Sequence, residues 1–133
     1  MKKYIVLLII ILLSFSLLGC KKTSPDKNYE DFDHIDHWDL LNELPEEETL
    51  ILYYSPFCAI SKSIEDEVTE YFVILEDTGV PIYLIHEGMI YEQGVQPFDV
   101  IETPTVLVYV NSVFQEMISG AKPIQEYLAA KVK

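Results

Sequence analysis

Cys58 stands where two patterns of apolar residues meet. The uninterrupted apolar run Leu50–Tyr54 predicts a buried strand, because a strand that is covered on both faces shows no polar alternation. After Cys58 the apolar residues recur at the spacing of one helical face; they are Ile60, Ile64, Val68 and Phe72. Backbone N–H groups at a helix N-terminus lack partners and favour a negative charge, so a cysteine there is favoured as the nucleophilic thiolate. We therefore predict that Cys58 is a reactive thiol.

Two polar residues follow Cys58 in the first turn of this predicted helix. Ser61 lies where its hydroxyl group can donate a hydrogen bond to the sulfur, but it is a far poorer nucleophile toward sulfur than a second cysteine. Lys62 lies one turn after Cys58 and either helps to hold a thiolate or is an ordinary solvated lysine. A thiol in this setting forms mixed disulfides, which an outside thiol or the substrate's own second cysteine must release.

The segment Phe57-Cys58-Ala59-Ile60-Ser61 resembles the active-site segment of the thioredoxin superfamily, which reads strand, aromatic residue, Cys-x-x-Cys, helix. Residues 100–109 resemble the segment in which that family carries a cis-proline facing the cysteine, and the proline is then Pro104. Gly120 matches the family's glycine after the last strand. The resemblance covers about residues 49–132. It implies that Phe57, Thr103 and Pro104 contact the substrate, with the backbone of Thr103 pairing with an extended peptide beside the thiol.

The chain departs from the family pattern at four positions. Ser61 replaces the second cysteine, and Leu52 replaces a buried acid that thioredoxins carry. Phe57 stands in place of a tryptophan, and Ile60 in place of a proline. Without a resolving cysteine, simple dithiol turnover is excluded, and isomerase-like shuffling, monothiol exchange or trapping of clients remains. The alternative is a binding or accessory module of an export or envelope complex that keeps the fold and has lost redox turnover.

The order of predicted elements indicates an α/β domain with a central mixed sheet flanked by helices, which is the thioredoxin arrangement, over residues 36–133. Helices are predicted over Asp36–Leu44, with Asp36 as the cap, over Ala59–Asp77, and from Pro123 to the C-terminus. A short helix over Tyr91–Val100 is only weakly patterned. Strands are predicted over Thr49–Tyr54, Val80–His86, Thr105–Val110 and Val113–Ile118.

The N-terminus is typical of a bacterial lipoprotein. Residues 1–19 carry two lysines, an apolar core and a small residue before Cys20, which predicts a signal peptide that is cleaved so that Cys20 carries the lipid. An uncleaved transmembrane anchor is the alternative, but the apolar stretch is short for a span. Residues 20–35 are polar and predict a tether. The domain is therefore expected at the outer face of the cell membrane, anchored through lipid.

The formal net charge is −13, and all 22 acidic residues follow Cys20. So acidic a domain argues against nucleic acid and against anionic lipid headgroups as partners. With Cys20 lipidated, Cys58 is the only free thiol, and no internal disulfide can form. The expected partners are exported cysteine-containing proteins or a small thiol, and no cofactor is expected.

A second cluster of polar residues has a spacing that metal sites use. His34 and His37, with Asp33 and Asp36, stand three residues apart and share one face of a short helix. No cysteine lies near them in the sequence, so a solvated segment is the preferred interpretation. His86 ends a predicted strand and is interpreted as structural. The sequence therefore predicts no metal site.

Overall fold

A computed structural model of the chain describes residues 27–90 and 102–133. These residues form a four-stranded sheet in the order β2-β1-β3-β4. The strands are β1 Glu48–Tyr54, β2 Ile82–His86, β3 Thr105–Val110 and β4 Val113–Ser119, and the α-helices are α1 Ala59–Ser63, α2 Glu65–Asp77 and α3 Ala121–Lys131. Short 3-10 helices cover Tyr29–Asp31 and Trp38–Glu43. The predicted α/β class, with a central mixed sheet flanked by helices, is confirmed.

The register of β1 determines what lies near Cys58. β1 pairs in parallel with β2, and it pairs antiparallel with β3 so that Tyr53 lies opposite Thr105. Because β3 runs against β1, the residues just before Thr105 reach the same edge of the sheet as the residues just after Tyr54. Leu50, Ile51 and Leu52 are fully buried at the centre of this sheet. Their burial on both faces explains why β1 reads as a continuous apolar run.

The turns after β3 and β4 contain residues with positive φ angles. Asn111 and Ser112 both have positive φ angles, of 51° and 61°, which is the conformation of a tight hairpin turn. Gly120 has a φ of 92° and donates its N–H to the carbonyl oxygen of Pro104 at 3.0 Å. This contact ties the end of β4 to the segment that precedes β3.

The single helix predicted over Ala59–Asp77 is wrong. α1 ends at Ser63, and Ile64 has φ −105° and ψ 0°, outside helical geometry, before α2 begins at Glu65. Ile60 lies in α1, before the break, and does not continue the buried stripe, since it is 52 % exposed. The rest of that stripe is buried as predicted.

The tether predicted over residues 20–35 is too long at its C-terminal end. Tyr29, Phe32 and Ile35 are 3 %, 5 % and 4 % exposed, so they belong to the core. Backbone hydrogen bonds of 2.8 Å join Leu84 of β2 to the carbonyl oxygen of Asp33 and to the N–H of Ile35. Residues 29–35 therefore belong to the packed domain, which was predicted to begin at residue 36. The sequence missed this because isolated apolar residues among charged ones carry no helical or strand period.

The remaining predictions concern the helix at Asp36, the N-terminal segment and the helix predicted over Tyr91–Val100. The helix predicted from Asp36 is a 3-10 helix whose N-cap is His37, so Asp36 is not the cap. Residues 1–26, with the signal peptide and Cys20, and the helix predicted over Tyr91–Val100 lie outside the described residues. Within the described ranges, 27–90 and 102–133, no helix is long and apolar enough to cross a membrane.

Candidate functional site

Cys58 is the N-cap residue of α1, with φ −83° and ψ 114°. Ser55 builds the turn that leads to it: its carbonyl oxygen accepts the Cys58 N–H at 3.1 Å, and its hydroxyl oxygen accepts the Phe57 N–H at 3.3 Å. The Cys58 carbonyl oxygen accepts the N–H of Lys62 at 3.1 Å and so begins the helix. The thiol is therefore held by backbone hydrogen bonds on both sides, and it is half-buried.

The segment before β3 faces this thiol. The Thr103–Pro104 peptide bond is cis. The Cys58 thiol donates to the carbonyl oxygen of Thr103, with 3.4 Å between the Sγ and O atoms. Thr105 fixes the segment from its other end, because its hydroxyl group donates to the carbonyl oxygen of Glu102 at 2.6 Å. The structure thus brings Cys58, Thr103 and Pro104 together from positions more than forty residues apart.

The pKa of Cys58 is lowered to about 7. The main cause is the backbone N–H of Ser61, followed by hydrogen bonds from the side chains of Thr103 and Ser61, and burial opposes them. These donors favour the thiolate because hydrogen bonding to the charged form of a group stabilises that form. Ser61 is 1 % exposed. Within the described residues the Ser61 hydroxyl oxygen makes no other hydrogen bond, so this group is available to a Cys58 thiolate.

Of the two interpretations of Lys62, support of the thiolate or an ordinary solvated lysine, its contacts favour the second. Its ammonium group pairs with the carboxylate of Glu65, and its side chain is 70 % exposed. Lys62 is not among the groups that lower the pKa of Cys58. Lys62 and Glu65 stand three positions apart, a spacing at which side chains on one helical face meet.

The surface beside the thiol is apolar. Phe57, directly before Cys58, is 93 % exposed, and Ile60 is 52 % exposed. Single exposed apolar side chains are normal on a monomeric domain, so these two make a candidate contact surface only through their position next to Cys58. Leu52, at the position of the family's acid, is fully buried in the core.

Sequence analysis missed two residues of this region, Tyr29 and Glu65. The Tyr29 hydroxyl group donates to the carbonyl oxygen of Ser61 at 3.1 Å, and its N–H donates to Glu65 Oε1 at 2.9 Å. Glu65 is only 6 % exposed. It stands four residues after the buried Ser61, which is one helical turn, but the sequence places it in a run of acids that reads as solvated.

The histidines contact neighbouring groups. Nδ1 of His34 lies 2.7 Å from the carbonyl oxygen of Phe32, and Nε2 lies 2.9 Å from the hydroxyl oxygen of Tyr54. His86 Nδ1 accepts the N–H of Gly88 at 3.0 Å. Among residues 27–90 and 102–133, no three His, Cys, Asp or Glu side chains are grouped so that they could hold a metal ion.

Comparisons with known proteins define the fold. No protein-family model and no curated protein sequence matches the chain. Among solved structures, a chain from a study of thiol resolution in a yeast mitochondrial 1-Cys peroxiredoxin is similar, with a TM-score of 0.62 and 17 % identity over 80 % of this chain and 97 % of that one. Mitochondrial thioredoxin 3 of Saccharomyces cerevisiae is similar with a TM-score of 0.61 and 15 % identity, again over 80 % and 97 %.

Thioredoxin f2 of Chlamydomonas reinhardtii is similar with a TM-score of 0.58 and 22 % identity over 76 % of this chain and 93 % of that one. Each of these structures is covered almost completely by the present chain. The chain therefore has the thioredoxin fold, and the resemblance read from Cys58 and Pro104 is confirmed at the level of the fold.

The lowered pKa of Cys58 predicts how its alkylation rate depends on pH. The rate of alkylation of Cys58 by iodoacetamide should rise with pH through a midpoint of about 7, because only the thiolate reacts. Ser61→Ala removes one donor to the thiolate and leaves the backbone N–H, so its midpoint should lie higher, by roughly half a unit to one unit. Peptide mass spectrometry separates Cys58 from Cys20. A midpoint that is the same in both proteins would contradict the role of the Ser61 hydroxyl group.

Proposed function

We propose that this protein is a monothiol exchange protein that acts on disulfides of exported proteins, with isomerase-like shuffling as its net reaction. The observation that carries the proposal is the Cys58 thiol, with a pKa of about 7, beside the backbone of Thr103. A partly exposed thiol that is about half ionised near pH 7 is suited to attack disulfides. The thioredoxin fold supports thiol–disulfide chemistry as a class of activity.

In the proposed reaction the Cys58 thiolate attacks one sulfur of a client disulfide. A new S–S bond forms between Cys58 and the client, the client's S–S bond breaks, and its second sulfur leaves as a thiolate that takes a proton from solvent. Ser61 donates to the Cys58 sulfur but cannot displace it. The client's second cysteine or a small thiol then attacks the mixed disulfide, which returns Cys58 as a thiolate. Thr103, Pro104 and Phe57 contact the client beside the bond that is exchanged.

The location is part of the same proposal. A lipid on Cys20 would hold the domain at the extracytoplasmic face of the cell membrane, with at most residues 21–28 between the lipid and Tyr29, which is buried in the part of the chain that the structure describes. At about 3.5 Å per residue, such a tether reaches no more than about 30 Å. Incorporation of labelled fatty acid into the native chain but not into a Cys20→Ser variant tests this part.

A second candidate is a binding module without turnover, and the exposed apolar surface at Phe57 and Ile60 favours it. In this candidate the surface holds an extended segment of an export or envelope protein, and Cys58 takes no part. The buried Leu52 agrees with it, since no carboxylate at that position could receive a proton from a resolving group. The two candidates differ in what happens when Cys58 is removed.

Formation of a mixed disulfide with glutathione disulfide tests the proposal. At about pH 6 folded protein should form the Cys58 adduct roughly fivefold faster than the same chain unfolded in denaturant, because the larger thiolate fraction outweighs the weaker nucleophilicity of a low-pKa thiol. The adduct should accumulate and then disappear on addition of excess thiol. Cys58→Ser, which forms no adduct at this position, is the control.

Equal rates for folded and unfolded protein would remove the basis for exchange chemistry. If in addition Cys58→Ser binds an unfolded client peptide as tightly as the native chain does, the binding module becomes the better description. If the variant loses a reaction that the native chain carries out on a scrambled disulfide protein, the exchange function stands.

A further inference from the structure

We propose that Tyr29 is a positioning residue for Cys58: it clamps the two helices on either side of the break at Ile64 and so holds Ser61 where its N–H and hydroxyl groups meet the thiolate. The inference rests on the proposed function, since it concerns the same reactive thiol. The hydrogen bonds of Tyr29 go to Glu65 and Ser61 and not to the thiol, and Tyr29 lies in the segment that the sequence assigns to the tether.

The helix that carries Ser61, α1, is too short to keep its position without contacts from other elements. α1 contains five residues, Ala59–Ser63, and so short a helix is not stable without contacts from outside. Ile64, with φ −105° and ψ 0°, separates it from the 13-residue helix α2. A continuous helix would transmit the position of α2 to Ser61 through its hydrogen bonds. Here that link is interrupted, and another contact has to replace it.

Tyr29 makes this contact with both helices at once. Its hydroxyl group donates to the carbonyl oxygen of Ser61 in α1 at 3.1 Å, and its N–H donates to the carboxylate of Glu65 in α2 at 2.9 Å. Tyr29 and Glu65 are 3 % and 6 % exposed, so both hydrogen bonds are shielded from water. Burial raises the pKa of the Tyr29 hydroxyl group, which therefore remains a donor throughout the working range of pH.

The clamp holds Ser61, the residue that contributes most to the lowered pKa of Cys58. The Ser61 N–H is the largest contribution to the lowered pKa of Cys58, and the Ser61 hydroxyl is a further one. The Tyr29 hydroxyl group donates to the carbonyl oxygen of this same residue. Removal of that donor therefore frees the last turn of α1. The two Ser61 donors then spend less time aligned with the sulfur, and the thiolate is less favoured.

The aromatic ring of Tyr29 makes a second contact, which a Tyr29→Phe substitution preserves. It packs against the ring of Tyr54, with 4.8 Å between the centroids. Tyr54 is 1 % exposed, and its own hydroxyl group donates to Glu30 at 3.0 Å instead of to α1. Tyr54→Phe therefore removes a buried hydroxyl group of the same type from the same cluster without touching Ser61, which makes it the matched control for Tyr29→Phe.

The experiment measures the pH profile of Cys58 alkylation in the full chain, with the Cys58 peptide followed by mass spectrometry. Tyr29→Phe should raise the midpoint by about half a unit, which makes alkylation about threefold slower at about pH 6. Tyr54→Phe should leave the midpoint unchanged. The melting temperatures of both variants are measured, because a merely structural role of Tyr29 would lower stability without moving the midpoint.

An unchanged midpoint in Tyr29→Phe, or an equal shift in Tyr54→Phe, overturns the clamp. Should Tyr29→Phe fail to fold, Tyr29→Met, which fills similar space with a flexible apolar chain, gives the same comparison. The outcomes also separate the two proposals. A native midpoint of about 7 with no shift in the variant contradicts only the clamp, whereas a native midpoint near the ordinary value of about 8.5 contradicts the exchange function as well.

Discussion

A Ser61→Cys variant is expected to reduce a model disulfide protein such as insulin, in the presence of dithiothreitol, at least about tenfold faster than the native chain. Ser61 lies three residues after Cys58 in the same helical turn, where the two side chains share one face. It is 1 % exposed, so a new sulfur there is shielded from solvent. A second thiol at this position can resolve the mixed disulfide that the native chain leaves to an outside thiol.

Ser63→Cys is the matched control for this gain. Ser63 lies in the same helix, but it is exposed, and its hydroxyl group donates to the carbonyl oxygen of Ile60. Both variants contain two thiols in the domain, and only one of them places the second thiol beside Cys58. Turnover by Ser61→Cys alone shows that the site still has the geometry of exchange. Turnover by neither would show that the thioredoxin fold persists without a working site, which favours the binding module.

Phe32→Ala is expected to destabilise the folded protein by about 3–5 kcal/mol, the cost of truncating a buried phenylalanine. Phe32 is 5 % exposed and packs edge-to-face on Phe72 of α2, with 5.7 Å between the ring centroids. Small domains have a free energy of unfolding of roughly 5–15 kcal/mol, so this one change removes a large part of the total. The effect is large because Phe32 joins the N-terminal segment to the main core.

Phe57→Ala makes the same chemical change at a side chain that is 93 % exposed. Its free energy of unfolding should stay within about 0.5 kcal/mol of that of the native chain. Urea denaturation of both variants, followed by circular dichroism, provides the comparison. Equal stability of Phe32→Ala and the native chain would mean that residues 29–35 behave as the tether that the sequence predicts.

Most of the fold could be predicted because its signals are local. The apolar run from Leu50 to Tyr54, the turn at Asn111 and Ser112, and the apolar spacing through Val68 and Phe72 each depend on a few neighbouring residues. Strand and helix periods record which side chains face the core, and this information lies within single elements. The elements around the thiol could therefore be placed, although their ends moved by one or two residues.

The helix break and the boundary of the domain could not be predicted in this way. The break at Ile64 contains neither glycine nor proline, so no local signal marks it. Tyr29 and Phe32 stand among charged residues, and their burial depends on the rings of Tyr54 and Phe72, far along the chain. The sequence likewise left open whether Lys62 supports the thiolate, and the structure shows its ion pair with Glu65.

The order and spacing of residues are enough to show that Cys58 follows a buried strand, begins a helix and has Ser61 where a resolving cysteine would stand. These are facts of residue type and spacing, and they define the kind of chemistry that is available. Only the tertiary structure decided which groups act on the thiol. Thr103 reaches it through the register of β1 against β3, and Tyr29 reaches Ser61 through packing of a segment that has no period of its own. The acidity of Cys58 depends on hydrogen-bond donors placed within a few tenths of an ångström, and such placement arises from contacts between distant parts of the chain.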